Sequence, residues 1–158
     1  MIFVTLGTQK FQMNRLVQAV DRMAPTMDEE IFIQFGNSTY QPVHCQAAEF
    51  VDKEQFKQLI KECTLLITHA GIGTIMMGIN EAKPIIVVPR RAEYQEHVDN
   101  HQEEIAEAFA GKNYVVNCSQ VSELPRYIER ARHSEFSPYI ERGEKMEDIV
   151  LDFVKRFE

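Results

Sequence analysis

Short apolar runs alternate with segments of helical periodicity along the chain, and this pattern predicts the architecture before any single residue is singled out. Ile2 to Leu6 is a β-rich run ending at Gly7-Thr8, and Met13, Leu16, Val17 and Val20 follow at helical spacing. Ile31-Phe32-Ile33-Gln34-Phe35 reads as a second strand stopped by Gly36-Asn37-Ser38, and the stretch around Cys45 to Val51 can supply a third. Asp52 reads as an N-cap with Gln55 at the capping-box position, ahead of Phe56, Leu59, Ile60 and Cys63 on one apolar face. A strand through Leu65-Leu66-Ile67, a helix near Ile72 to Glu81 and a strand from Ile85 to Val88 come next. A helix from about Asp99 to Ala110, with Gly111 as its C-cap, and a strand from Tyr114 to Val116 follow. The last elements are a helix near Val121 to Ala131 and a longer one carrying Met146, Ile149, Val150, Phe153, Val154 and Phe157 as an apolar stripe. That stripe is expected to pack on the chain's own core, with a partner's surface as the alternative.

Continuous apolar strands separated by amphipathic helices predict an α/β fold: a doubly wound, mostly parallel, Rossmann-like sheet covered on both faces. Ligands of such sheets bind beyond the carboxyl ends of the strands, where Gly7-Thr8, Gly36, His69 to Thr74 and Pro89-Arg90 all fall. The most informative stretch is Leu65 to Thr74, where an apolar run stops at His69-Ala70 and Gly71 and Gly73 precede a helical pattern. It reads as strand, turn and helix N-terminus, with free amides pointing at the space above the turn, and a phosphate is the expected guest.

Length bounds the chain to one domain over 1–158, small for an enzyme that encloses two substrates. The net charge of -7 argues against nucleic-acid binding through a broadly basic surface. Cys45, Cys63 and Cys118 are scattered and odd in number, which fits reduced, buried thiols. The start at Met1 has neither a basic segment nor a signal-like apolar stretch, and no run approaches the ~20 apolar residues of a membrane span. The expected location is cytoplasmic.

Taken in order, Gly7-Thr8-Gln9-x-Phe11, Gln34-Phe35-Gly36, His69-Ala70-Gly71-x-Gly73-Thr74, Lys83-Pro84, Pro89-Arg90 and His101-Gln102 resemble the C-terminal, donor-binding domain of family 28 glycosyltransferases over Met1 to about Ala110. The likeness extends to stand-alone members: the catalytic subunit of the split N-acetylglucosaminyltransferase of N-glycan assembly, and small bacterial exopolysaccharide transferases. Pro89-Arg90-Arg91 and Glu96-His97-x-Asp99-x-His101-Gln102 are similar to the latter branch in particular.

The resemblance implies half of a GT-B enzyme. This chain would bind a UDP-sugar, and a membrane-associated subunit would bring a lipid-linked saccharide acceptor and recruit it to the inner face of the membrane. Gly71, Gly73 and Thr74 would hold the diphosphate above His69, with Gly7, Thr8 and Gly36 opposite. Phe50 and Val51 would face the uracil, and His97, Asp99, His101 and Gln102 the sugar or distal phosphate. Arg90 would offset the charge on departing UDP, and His69 and Glu96 complete the candidate catalytic set. The general base would come from the partner or the cleft edge. Where the family often carries a ribose-binding glutamate, eight residues after the motif histidine, this chain has Met77. Glu81, Glu96 and Asp99 are the substitutes considered.

The spacing of His97 and His101 also suits a shared metal, with Asp99 and Glu96 nearby, but no third His or Cys is tied to the pair and substrate hydrogen bonding is the favoured reading. No metal or cofactor is expected. Two other functions stay open at this point: a non-catalytic nucleotide-sugar-binding module, and an unrelated flavodoxin-like or epimerase-like domain.

Overall fold

Alternate side chains of a strand point to opposite faces, so a strand that is apolar at every position has to be covered twice. The computed structural model, which describes residues 1–138, meets this requirement with a six-stranded sheet. The strands are β1 (Ile2–Thr5), β2 (Ile31–Gln34), β3 (Gln46–Ala48), β4 (Leu65–His69), β5 (Ile85–Val88) and β6 (Val116–Asn117). Every pairing is parallel and the spatial order is β3-β2-β1-β4-β5-β6. The helices are α1 (Asn14–Met23), α2 (Lys53–Glu62), α3 (Ile72–Asn80), α4 (His101–Gly111) and α5 (Leu124–Arg132).

The register aligns Val4 with Ile33 on one side and with Ile67 on the other, and Ile67 with Ile86, so one row of aliphatic side chains crosses four strands. With Ile2, Leu65 and Val88 this row meets Leu16, Val17 and Val20 of α1 and Leu124 and Ile128 of α5. The intervening positions Phe3, Leu66, Ile85 and Val87 face the other way, onto Ile60 of α2, Ile75 and Ile79 of α3 and Ile105 and Phe109 of α4. Full burial of each such side chain contributes about 1.5–3 kcal/mol. The outer strand β3 is short and exposes Gln46 and Ala47, which limits its value as a template for a further strand.

Most predicted elements appear within a residue or two, and Asp52 caps α2 by accepting from the Gln55 amide at 2.7 Å. Four boundaries move. Asp99 and Asn100 belong to the loop before α4, which also holds a 3₁₀ turn at Ala92–Tyr94. Gly111 is the last helical residue rather than the cap, and the left-handed position falls on Asn113 at φ 63°, a residue type that tolerates it. Tyr114 and Val115 are buried, yet only Val116 and Asn117 pair with β5, and Val121–Glu123 form a 3₁₀ turn ahead of α5. The apolar stripe from Met146 to Phe157 lies outside the described residues. Among the described residues no helix is long and apolar enough to cross a membrane.

The helix α3 approaches the sheet through Gly78, where a Cβ would lie 2.7 Å from Ile85 Cδ1 and 2.8 Å from Leu66 Cδ2. Gly78→Ala is therefore expected to overpack this contact and cost about 1–3 kcal/mol, outweighing the gain in helix propensity. Urea denaturation measures it, and an unchanged midpoint would show that the helix can lift at no cost.

Candidate functional site

The strand order reverses between β1 and β4: the chain builds outward through β2 and β3, then returns to place β4 and β5 on the other side of β1. Beyond the carboxyl ends of such a pair the loops diverge and leave a crevice. Its walls are the turn after β1, at Gly7, and the turn after β4, from His69 to Gly71. Gly36 stands one strand further out, buried, where a Cβ would meet the Gly7 carbonyl oxygen at 3.2 Å.

Between the two walls lies the His69 ring, 5% exposed. A Cβ on Gly7 would sit 2.3 Å from His69 Nε2, and one on Gly71 would sit 2.6 Å from Cε1. Gly7 also has φ +73°, which a side chain would strain. These two glycines are thus needed to admit the imidazole. Burial, then the charge of Arg90, push the pKa of His69 down to about 3. The ring is neutral at physiological pH.

Gly73 differs. It is exposed, and a Cβ there would have nothing within 4 Å. Among the described residues no side chain caps α3, and its first laddered amide is that of Ile75, bonded to the Gly71 carbonyl at 3.1 Å. The amides of Ile72, Gly73 and Thr74 are the orphan donors of a helix N-terminus, and they lie at the turn that forms one wall of the crevice. A glycine that the protein's own packing does not require, at that point, leaves room for an anion to approach the backbone.

Three sequence expectations need correction. Arg90 does not stand at the open edge: it is 1% exposed, and its guanidinium donates to the carbonyls of Leu6 at 2.6 Å, Phe11 at 3.0 Å, Glu96 at 3.1 Å and Gln12 at 3.4 Å. It ties the loop after β1 to the loop after β5, remaining charged although burial lowers its pKa to about 10. Glu96 is 1% exposed and forms a forked pair with Arg15, Oε2 to Nε at 2.8 Å and Oε1 to Nη2 at 3.0 Å. It is a structural anion and not a candidate acid or base. Gln102 is 4% exposed and turned inward, so it does not reach a sugar. Its oxygen accepts from the Ala70 and Arg90 amides at 3.1 and 2.9 Å, and its nitrogen meets His69 Nδ1 at 3.1 Å.

The remaining polar candidates stay on the edge. Asp99 bridges two imidazoles, each Nδ1 at 3.1 Å, with His97 half-buried beside Phe11 and His101 exposed at the start of α4. Thr8 is exposed, Val51 is half-buried, and Phe50 is 46% exposed with its ring 3.8 Å from where a Gly36 Cβ would stand. Of the substitutes for Met77, Glu81 fails: it caps the C-terminus of α3, a helix length of roughly 13 Å from the crevice. Met77 itself packs against the core.

Two structural roles were readable but not read. Gln102 heads the buried stripe Gln102, Ile105, Ala106, Phe109, and a polar residue at the first position of such a stripe signals an internal hydrogen-bond task. Asp21 likewise follows Val17 by one turn on the apolar face of α1. Burial would raise its pKa, but bonds from the His44 amide at 2.7 Å, the Tyr40 hydroxyl at 2.9 Å and the Val43 amide at 3.0 Å outweigh that and hold it below the ordinary value. It pins the loop that leads to β3.

The buried imidazole sets a pH dependence. Unfolded, His69 titrates near 6.5, and folded, near 3, so between these values the unfolded chain binds the extra proton. Its contribution to stability is complete above pH 6.5 and declines as pH falls toward 3. Between pH 7 and pH 5 this group removes about 2 kcal/mol. In urea denaturation, His69→Gln is expected to lose about 2 kcal/mol less than the wild type over that interval. Equal losses would show that the imidazole is not held neutral.

Known proteins share this chain's sequence pattern and fold. The human UDP-N-acetylglucosamine transferase subunit ALG13 is 26% identical over 127 residues, 75% of this chain and 11% of its own length. A Prochlorococcus marinus UDP-N-acetylglucosamine--N-acetylmuramyl-(pentapeptide) pyrophosphoryl-undecaprenol N-acetylglucosamine transferase is 29% identical over 127 residues, 77% of this chain and 33% of its own. The chain thus spans a third or less of either relative. Among solved structures, the kitacinnamycin glycosyltransferase superposes with a TM-score of 0.65 at 14% identity, over 98% of this chain and 39% of its own. The solution structure of ALG13 does so with 0.59 at 20% identity, over 87% and 88%. The fold is therefore that of GT-B glycosyltransferases. The glycosyltransferase family 28 C-terminal domain matches residues 1–157, and the chain belongs to that family.

Proposed function

We propose that residues 1–158 form the donor-binding catalytic domain of a two-component inverting glycosyltransferase, which moves a hexose from a UDP-sugar to a lipid-linked saccharide acceptor in polysaccharide assembly. The observation that carries this reading is the uncapped start of α3 with Gly73 opening onto empty space in the β1/β4 crevice. An acceptor hydroxyl attacks the anomeric carbon while UDP departs from the opposite face. The charge that develops on the diphosphate falls on the amides of Ile72, Gly73 and Thr74 and the Thr74 hydroxyl. These donors are fixed before the reaction and gain strength when a second body excludes water.

The inward commitment of Arg90 and Glu96 supports a divided enzyme. With both spent on internal bonds and His69 neutral and enclosed, the base that takes the acceptor's proton is assigned to the partner or to the exposed edge at His97, Asp99 and His101. Asp99 is the carboxylate of the three considered that stays beside the crevice, and the ribose hydroxyls are assigned to it. The opposite wall is assigned to Gly7, Thr8 and Gly36, and the uracil to Phe50 and Val51. The names of the relatives, one a transferase subunit and one acting on a pyrophosphoryl-undecaprenol acceptor, favour a partner subunit and a lipid-linked acceptor.

Gly73→Asp tests the site with opposite signs for stability and binding. A carboxylate in the first turn complements the helix dipole, so stability is expected to hold or rise by about 0.3–1 kcal/mol. The same charge repels a diphosphate, and calorimetry with UDP is expected to show affinity reduced at least about tenfold. Undiminished UDP affinity in a folded Gly73→Asp protein would contradict the proposed site.

A further inference from the structure

The carboxamide of Gln102 can be oriented from its partners alone. Its Oε1 lies 3.1 Å from the Ala70 nitrogen and 2.9 Å from the Arg90 nitrogen, and both of these are backbone N–H groups that can only donate. The oxygen must therefore face them, and with two bonds accepted its lone pairs are used. The amide's NH₂ group is left facing His69 Nδ1 at 3.1 Å. A donor there requires an acceptor opposite, so Nδ1 carries the lone pair and the single proton of the neutral ring resides on Nε2. Nε2 lies in the notch between Gly7 and Gly71, 2.3 and 2.7 Å from where their Cβ atoms would stand.

We propose that Gln102 is a positioning residue that holds His69 as the Nε2–H tautomer, so that a neutral hydrogen-bond donor, rather than a lone pair, lines the diphosphate crevice. This rests on the donor-binding reading above. A lone pair in that notch would repel phosphate oxygens, whereas Nε2–H adds a side-chain donor to the backbone amides of α3. The same group ties the ends of two neighbouring strands together, because the Ala70 amide follows β4 and the Arg90 amide follows β5. The charged or titratable groups acting on His69 are Arg90, from the neighbouring strand end, and His97, from the loop that follows.

Gln102→Glu separates the tautomer from the packing, since the new carboxylate keeps the shape and the bonds to the two backbone amides but presents an acceptor to Nδ1. The proton then moves to Nδ1 and Nε2 bears the lone pair. Below the raised pKa of the ring both nitrogens are protonated and the donor at Nε2 returns. Imidazole ¹⁵N spectra of the ligand-free wild type are expected to show a protonated Nε2 and an unprotonated Nδ1. UDP binding to Gln102→Glu is expected to be weakened at least about tenfold at pH 8 and to recover most of that loss at pH 5.5, relative to wild type at each pH. A wild-type ring protonated on Nδ1 overturns the inference without any variant, even if the variant fails to fold. Weakening of equal size at both pH values overturns it too, because it shows a packing role only. If the wild type has the expected tautomer but binds no UDP, the donor-binding reading itself falls and the role of the tautomer with it.

Discussion

A carboxamide offers one oxygen and one NH₂ group, and Gln102 uses both to join three points that the chain delivers separately. Its bonds to the Ala70 amide, the Arg90 amide and His69 Nδ1 fix the ends of β4 and β5 and the ring between them. The imidazole fills the notch that Gly7 and Gly71 leave open, just before the first turn of α3. A buried polar group costs free energy unless its bonding capacity is met, which is why so small a junction has a single arrangement.

The two buried ions extend the same lock outward. Arg90 draws carbonyls from the loops after β1 and β5 onto one guanidinium, and Glu96 holds Arg15 of α1 against the second of those loops. Removing one partner of such a pair leaves a buried charge unpaired, so these groups specify loop geometry more than they add net stability. The consequence for function is a floor of internally bonded groups beneath an exposed rim. The internal charges are committed, while Thr8, Phe50 and the His97, Asp99 and His101 cluster remain on the surface.

The sheet was legible in the sequence because hydrophobic periodicity reports burial directly: Ile85 to Val88 is apolar at every position since helices cover it on both sides. The strand, turn and helix from Leu65 to Thr74 were legible for a related reason, as glycines and a strand-to-helix transition are local signals. The direction of a polar side chain is not local. Arg90 and Glu96 looked like ligands of an open edge, but their partners lie 81 to 84 residues away at Leu6 and Arg15. Gln102 was the exception that could have been caught, since it occupies the first position of a buried helical stripe. Gly111 misled because any glycine near a helix end suggests a cap, whereas an asparagine two residues later takes the left-handed turn.

The proposed function rests on one physical claim: the amides at the start of α3 bind a diphosphate. The most direct measurement follows the backbone ¹H–¹⁵N resonances of Ile72, Gly73 and Thr74 while UDP is titrated against the intact chain, with uridine as the control. The account predicts saturable shifts at these three amides with UDP and their absence with uridine. Shifts confined to other parts of the molecule, or equal responses to the two ligands, would contradict it.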